Sequence, residues 1–166
     1  MDKYKLPEGS LISFFSNKVK KHGGINLAQG IPAYSPPKKL LEILKETIDK
    51  DIHQYAPGKG NHKLIDILTE RYKVELENVL ITQGATESIS LIYTYLDNEI
   101  SDELVTMAIN PVYESYNNLP KIFKNKFVGY YPNEQGLNFI DIEEKINEQK
   151  VKLLFLSSPG NPYGRS

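Results

Sequence analysis

The chain has 166 residues, of which 40% are hydrophobic and 25% charged, with a formal net charge of −1; these values are ordinary for a globular domain with a sizeable core. The near-zero charge argues against a broadly basic nucleic-acid binder, and the absence of cysteine excludes disulfides, cysteine zinc sites and thiol nucleophiles. No apolar run approaches the ~18 residues that span a bilayer, and residues 1–8 lack the apolar segment of a signal peptide, so we expect a cytoplasmic protein.

The first third of the chain is predicted to contain helices joined by irregular segments. Residues 11–21 suit a first helix, and Ser35 followed by Pro36 is typical of the start of a second. The second helix carries an apolar stripe at helical spacing, which comprises Leu40, Leu41, Leu44, Ile48 and Ile52. A loop at residues 55–60 precedes Asn61, a suitable cap for a third helix. Residues 1–35 are therefore expected to form a helical arm or part of a small domain.

Four short apolar runs alternate with helical segments in the rest of the chain. The runs are residues 79–81, 104–109, 126–130 and 151–156. One intervening helix is predicted over residues 84–96, and another is capped by Asn138. Nearly continuous apolar runs separated by helices indicate a parallel sheet covered on both faces. The fold class is therefore α/β, with a mostly parallel sheet preceded by a helical N-terminal arm.

The first candidate site follows the run at 79–81. Here a strand is predicted to run through Gly84 directly into a helix, whose free N–H groups and dipole favour an anion. Gly84 permits close approach of a ligand to the backbone, and the hydroxyl of Thr82 or Thr86 is available beside it. The alternative is an ordinary strand-to-helix turn with a threonine cap.

Two more candidate segments follow the second and fourth runs. Tyr113, in the first of them, could stack on a flat ring, although packing of Tyr113 against Tyr116 on a helix surface is the alternative. The Asn110–Pro111 bond is a candidate for the cis form. Asn161, in the second segment, could present an amide, unless this segment is simply a loop. Since ligands bind at the carboxyl ends of parallel strands, the three segments together suggest one cleft for an anionic group and a flat ring.

Other polar clusters in the sequence favour no further site. The histidines His22, His53 and His62 lack the spacing of metal ligands, so no metal site is expected. The lysines at residues 18, 20 and 21 suit the C-terminal end of a helix, and neither nucleic acid nor a membrane is expected as a partner.

Five motifs, in this order and at these intervals, resemble the class I and II aminotransferases. They are Asn26–Pro32 (NLAQGIP), Gln54–Gly60 (QYAPGKG), Thr82–Glu87 (TQGATE), Asn110–Tyr113 (NPVY) and Asn161–Gly164 (NPYG). The resemblance extends from about residue 25 to the end of the chain. It implies a fold-type I enzyme that uses pyridoxal 5′-phosphate (PLP) to move an amino group between an amino acid and a 2-oxo acid. Residues 36–166 would then be the N-terminal part of the PLP-binding large domain.

The resemblance also assigns cofactor contacts. The segment Gly84-Ala85-Thr86 matches the loop that holds the PLP phosphate, and Tyr113 matches the aromatic residue that stacks on the pyridine ring. Asn161 matches the asparagine that donates to the 3-oxygen of the ring. The family motif usually reads Asn-Pro-Thr-Gly, whereas this chain has Tyr163 in place of threonine, which affects local packing more than the ring contact.

Further expectations concern the substrate and the subunits. Gly30, with Ile31 after it, matches the glycine beside the substrate carboxylate. Tyr55 matches a tyrosine that reaches the phosphate of the neighbouring subunit, which implies a homodimer. The sequences of the first two motifs most resemble those of the subgroup that acts on methionine, glutamine, aromatic amino acids or kynurenine.

The family's Schiff-base lysine, its pyridine-nitrogen aspartate and its main carboxylate-binding arginine all lie beyond the Asn161 motif. No lysine in this sequence follows a serine or threonine, as the family's lysine usually does. We therefore expect the 166-residue chain to be an N-terminal fragment with no catalytic residue of its own, inactive alone and holding PLP weakly or not at all. Its first run, residues 79–81, would lack its usual neighbouring strands. The alternative is a non-catalytic binding or interaction module that retains half of the fold.

Overall fold

A computed structural model describes residues 9–134, 136–161 and 163–164 of the chain. The chain divides into two compact units, residues 1–56 and 57–166. The expected boundary after residue 35 concerns functional domains and stays a prediction. Within the described ranges, no helix combines the length and apolarity needed to cross a membrane.

The first unit contains helices α1 (Leu11–His22) and α2 (Lys38–Ile48). The predicted first helix is confirmed; Ser10 caps it, and it ends at Gly23, whose φ is 77°. The segment after α1 is tied back to it, because the Asn26 side-chain amide donates to the Ser16 hydroxyl at 3.0 Å.

The predicted start of the second helix at Ser35 is wrong. Helix α2 begins at Lys38, after Pro37, with no side-chain cap. The reason is local: a residue that precedes proline is disfavoured in the helical region, so Pro36, which stands before Pro37, cannot open the helix. Four residues of the predicted apolar stripe, Leu40, Leu41, Leu44 and Ile48, lie on α2 and are exposed. The fifth, Ile52, lies after the end of the helix, so its place in the stripe is wrong.

The second unit carries the remaining elements, helices α3 to α6 and strands β1 to β3. The helices are α3 (His62–Tyr72), α4 (Ala85–Glu99), α5 (Glu114–Phe123) and α6 (Phe139–Gln149), with a short 3₁₀ helix at Leu76–Asn78. The two predicted asparagine caps are confirmed. The side chain of Asn61 accepts from the Leu64 N–H at 3.3 Å, and that of Asn138 accepts from the Ile140 N–H at 3.0 Å.

The sheet contains β1 (Thr106–Ile109), β2 (Phe127–Tyr130) and β3 (Leu153–Phe155). The order is β2-β1-β3, with both pairings parallel. Thr106 is in register with Phe127 on one side and with Leu153 on the other. Each connection contains a helix, as a parallel pairing requires. The prediction of a parallel α/β sheet is therefore confirmed for three of the four runs.

The run at residues 79–81 does not form a strand, contrary to the sequence prediction. Its Ile81 N–H donates instead to the Lys59 carbonyl at 3.0 Å, in the loop before α3. Among the described residues, the sheet has three strands and none of them pairs with this run. An apolar run becomes a strand only where a neighbouring strand supplies the hydrogen-bonded ladder. Here the Val79 N–H donates to the Leu76 carbonyl at 3.4 Å, and Ile81 bonds to a loop.

Two apolar clusters cover the two faces of the sheet. One joins Val105 and Met107 to Ile142 of α6, and the other joins Leu104 to Tyr93 of α4 and Leu119 of α5. Successive residues of an extended chain point to opposite faces, so Val105 and Met107 of the middle strand region pack on the α6 side, whereas Leu104 packs on the side of α4 and α5. This two-sided core fixes the carboxyl ends of the strands, where the candidate site lies.

Candidate functional site

The first turn of α4 is open to an anionic ligand. The chain enters the helix through Gly84, whose φ of 83° is a conformation that favours glycine. No side chain caps this end of α4, and Gly84, Ala85 and Thr86 are all exposed. The backbone N–H groups of a helix N-terminus, together with its dipole, attract negative charge. The predicted phosphate loop therefore has the backbone shape and exposure that its role requires.

Side chains within the same loop hold it in this shape. The Thr82 hydroxyl lies 2.6 Å from the Ser88 hydroxyl and donates to the Gly84 carbonyl at 3.2 Å. The Glu87 carboxylate accepts a hydrogen bond from the Gln83 N–H. Of the two hydroxyls that the sequence offered, Thr82 is thus engaged within the loop, and Thr86 is the one turned outward. The role of Ser88 was not predicted. The sequence feature that could have indicated it is a serine at the end of the first turn of a helix that begins at a glycine.

The structure brings Tyr113 to this loop, although 27 residues separate it from Thr86. Tyr113 immediately precedes α5, and its hydroxyl lies 3.0 Å from the Thr86 Oγ1. The Tyr113 side chain is still 48% exposed, so its ring remains accessible beside the uncapped start of α4. Two residues that the sequence placed in one cleft are therefore in direct contact.

The pKa of the Tyr113 phenol is lowered from its ordinary value of 10.0. The main cause is the hydrogen bond with the Thr86 side chain, followed by one with Ser115; burial and the charge of Glu114 act weakly in the opposite direction. Hydroxyls that donate to the phenolate stabilise the charged form. The lowered pKa of Tyr113 is therefore a direct reporter of its contact with Thr86.

Replacing Thr86 by valine should raise the pKa of Tyr113 toward 10.0, because valine keeps the shape of threonine but cannot donate. The Ser115 hydroxyl remains, so the pKa should recover only in part. The measurement is a pH titration of the Tyr113 Cζ chemical shift in ¹³C-tyrosine-labelled protein, with Tyr113→Phe to identify the signal. A Thr94→Val chain, changed on the same helix, should titrate like the unaltered chain. An unchanged Tyr113 pKa in Thr86→Val would contradict the contact.

Two more aromatic rings continue from Tyr113 into the protein. The rings of Tyr113 and Tyr116 meet edge to face, with centroids 5.7 Å apart. The ring of Tyr116 stacks on Phe155, the last residue of β3, at 4.4 Å and an interplanar angle of 3°. The sequence alternative that Tyr113 and Tyr116 pack together therefore holds, while Tyr113 also stays exposed at the site. We call Tyr113, Tyr116 and Phe155 the aromatic row.

Four further residues were predicted to belong to the site. Asn161 is exposed and follows β3. Gly30, Ile31 and Tyr55 lie in the first unit and are exposed. The Asn110–Pro111 peptide bond just before Tyr113 is cis, and so is the Ser158–Pro159 bond after β3. The roles of Asn161, Gly30, Ile31 and Tyr55 stay predictions.

The donor set at the start of α4 fits a phosphorylated aromatic ligand. An uncapped helix end and the Thr86 hydroxyl offer donors to a phosphate, and an exposed aromatic ring stands next to them.

Comparisons with known proteins agree on one family. The family model described as "Aminotransferase class I and II" matches residues 22–166. The chain is 30% identical to an aspartate aminotransferase of Pyrococcus horikoshii, over 96% of this chain and 42% of that protein. It is also 30% identical to a probable kynurenine–oxoglutarate transaminase of Saccharomyces cerevisiae, over 90% of this chain and 38% of that protein.

A solved structure has the same fold. The N-succinyldiaminopimelate aminotransferase from Mycobacterium tuberculosis superposes with a TM-score of 0.79 at 24% identity, over 93% of this chain and 42% of that one. The chain thus spans about 40% of the length of the relatives that it matches.

Proposed function

Because the chain belongs to the class I and II aminotransferases, we propose that the whole protein transfers an amino group between an amino acid and a 2-oxo acid with PLP. The observation that carries this proposal is the hydrogen bond between Thr86 and Tyr113. It joins a helix N-terminus suited to a phosphate and a ring suited to an aromatic cofactor, at the strand ends where α/β folds bind ligands.

In this proposal, Gly84, Ala85 and Thr86 hold the phosphate of PLP, and Tyr113 faces its pyridine ring. Asn161, which follows β3, donates its amide to the 3-oxygen of the ring. The bound cofactor acts as an electron sink, which allows a proton to leave the amino-bearing carbon of the substrate. The part of this chain is to bind and orient: the helix end offsets the phosphate charge, and Tyr113 limits the tilt of the ring.

The proposal extends to the substrate and the assembly. Gly30 and Ile31 lie beside the substrate carboxylate, and Tyr55 reaches the phosphate of the neighbouring subunit in a homodimer. Two observations support kynurenine, methionine, glutamine or an aromatic amino acid as the amino donor. One relative is named a probable kynurenine–oxoglutarate transaminase, and residues 29–32 have the sequence Gln-Gly-Ile-Pro. A cytoplasmic location is supported by the absence of cysteine.

We further propose that the 166-residue chain alone provides contacts to the phosphate and ring without the lysine that bonds to PLP. The test is to add PLP, reduce with borohydride and measure the intact mass. We expect no stoichiometric addition to a single lysine, and transaminase assays of this chain should show no activity. One equivalent of PLP on one lysine would refute this part of the proposal. Specific non-covalent binding without activity in the whole protein would instead favour a binding module.

Thr86→Ala and Tyr113→Ala should each weaken the binding of PLP to the chain. Loss of a hydrogen bond to a charged phosphate costs about 1.5–3 kcal/mol, so Thr86→Ala should raise the dissociation constant by roughly 10- to 150-fold. Equilibrium dialysis with PLP and with pyridoxal, which lacks the phosphate, separates the proposed phosphate contact of Thr86 from the proposed ring contact of Tyr113. Thr86→Ala should affect PLP alone, whereas Tyr113→Ala should affect both ligands.

The matched control for these variants is Thr94→Ala. Thr94 lies on the same helix and its hydroxyl donates to the Ser90 carbonyl at 2.8 Å, away from the first turn. Its dissociation constants should equal those of the unaltered chain. If neither Thr86→Ala nor Tyr113→Ala changes PLP binding while Thr94→Ala behaves as expected, the proposed site is wrong.

A further inference from the structure

The aromatic row assigns a role to Tyr116: we propose that Tyr116, stacked on Phe155, is the positioning residue that holds the Tyr113 ring where its hydroxyl meets Thr86. The consequence for PLP rests on the function proposed above. The geometric part, that Tyr116 sets the orientation of Tyr113, concerns the ligand-free chain and stands by itself.

Tyr116 is well placed to transmit rigidity from the core. Its ring lies 4.4 Å from that of Phe155 with an interplanar angle of only 3°, and its side chain is half-buried. Phe155 is the last residue of β3 and packs against the buried cluster that includes Tyr93. One face of Tyr116 therefore rests on a residue that the sheet and the core already fix.

Tyr113 depends on lateral support because it stands half-exposed just before α5. The edge-to-face contact with Tyr116, at 5.7 Å and 85°, is a favoured arrangement of two aromatic rings. The hydroxyl of Tyr113 is held separately by Thr86 at 3.0 Å. Contacts at the ring and at the hydroxyl together define both side-chain torsions, whereas the hydroxyl contact alone leaves the ring free to tilt.

The aromatic row also connects elements that are distant in sequence. Phe155 ends β3, Tyr116 belongs to the first turn of α5, and Tyr113 reaches the first turn of α4 through Thr86. The ring of Tyr116 lies between those of Tyr113 and Phe155, which is the placement that a residue orienting Tyr113 requires. A ring held in one plane in advance binds a flat ligand with less loss of conformational entropy.

The test measures the Tyr113 pKa in the ligand-free ¹³C-tyrosine-labelled chain. Tyr116→Leu removes the ring, and Phe155→Leu removes the surface on which it stacks; both should raise the Tyr113 pKa toward 10.0. Tyr116→Phe keeps the ring and should restore the original titration. Tyr72→Leu, the same change at an exposed tyrosine of α3, should have no effect. Circular dichroism checks that each variant is folded.

The outcomes of these measurements distinguish a failure of the positioning role of Tyr116 from a failure of the proposed function. An unchanged Tyr113 pKa in Tyr116→Leu and Phe155→Leu would overturn it, as would an unfolded Tyr116→Leu chain, since a positioning residue leaves the fold intact. Tyr116→Leu should also weaken both PLP and pyridoxal by about three- to tenfold. If the pKa shifts but Tyr113→Ala leaves PLP binding unchanged, the positioning role stands and the proposed function fails. If Tyr113→Ala weakens PLP binding but the Tyr113 pKa is unchanged in Tyr116→Leu and Phe155→Leu, the proposed function stands and the positioning role of Tyr116 fails.

Discussion

Replacing Tyr93 by alanine should lower the free energy of unfolding by about 4 kcal/mol, as is typical for truncating a buried aromatic residue. Tyr93 is fully buried and forms a cluster with Leu104 and Leu119. Its ring also lies 5.2 Å from that of Phe123. Alanine at this position would leave a cavity between α4, α5 and the sheet, and well-packed surroundings refill such a cavity only in part.

The hydroxyl of Tyr93 adds to this cost. It accepts from the Thr106 hydroxyl at 3.4 Å and from the Asn125 side-chain amide at 3.3 Å. Thr106 is itself fully buried, although it has a second acceptor in the Leu104 carbonyl at 3.2 Å. A Tyr93→Phe chain should therefore lose only about 1 kcal/mol, which separates the contribution of the ring from that of the hydroxyl.

Urea denaturation of Tyr93→Ala and Tyr95→Ala provides the matched measurement. Tyr95 lies two residues further along α4 and is 62% exposed, so its truncation should change the free energy of unfolding by less than about 0.5 kcal/mol. Similar losses for the two variants would mean that the cluster between α4 and the sheet is wrongly assigned.

Gly60→Ala should cost about 2–4 kcal/mol, for two separate physical reasons. The φ of Gly60 is 110°, which a residue with a side chain rarely adopts. An alanine Cβ there would also lie 2.5 Å from the Cβ of Ile81 and against its Cγ1. The loop before α3 and the segment leading to Gly84 are joined here by the Ile81–Lys59 backbone bond. The substitution should therefore disturb the turn at Gly84 as well as the stability.

Gly58→Ala is the control for this loop, because a Cβ at residue 58 meets nothing within 4 Å. It should be nearly neutral in urea denaturation. A double variant, Gly60→Ala with Ile81→Gly, removes the Ile81 side-chain atoms that the new Cβ would meet but leaves the backbone strain at residue 60. Its loss of stability should therefore be smaller than the sum of the losses of the two single variants. A Gly60→Ala chain as stable as Gly58→Ala would contradict the close approach of Gly60 to Ile81.

Local sequence patterns predicted the parallel sheet because each strand is a compact apolar run between helical segments. The run at residues 79–81 has the same local pattern and yet stays outside the sheet. Strand formation depends on a neighbour, and a pattern confined to three residues carries no information about which neighbour is present. The start of α2 differs from the sequence prediction for a local reason instead, since Pro37 disfavours the helical conformation at Pro36.

The candidate site was predictable where a general rule of the fold applied. Tyr113 follows β1, and the strand-end rule predicts a ligand-facing residue there. Gly84 and Thr86 follow a run that forms no strand, so for them the useful signal was the glycine at the start of a helix. The contact of Thr86 with Tyr113 brings the two segments together. The stacking of Tyr116 on Phe155 and the pairing of Thr82 with Ser88 were not predicted. The first joins residues 39 positions apart (155 − 116), and both depend on side-chain directions that sequence spacing does not specify.

The order β2-β1-β3 also determines the sequence of events during folding. β1 can pair with β2 as soon as residue 130 is available, but its other side stays open until β3 is made, because Thr106 pairs with Leu153, 47 residues later (153 − 106). Closing the longer loop costs more chain entropy, and such non-local pairings slow folding. During synthesis, the middle strand therefore has one unpaired edge until β3 is made, and an unpaired edge is the part of a sheet most open to pairing with another chain.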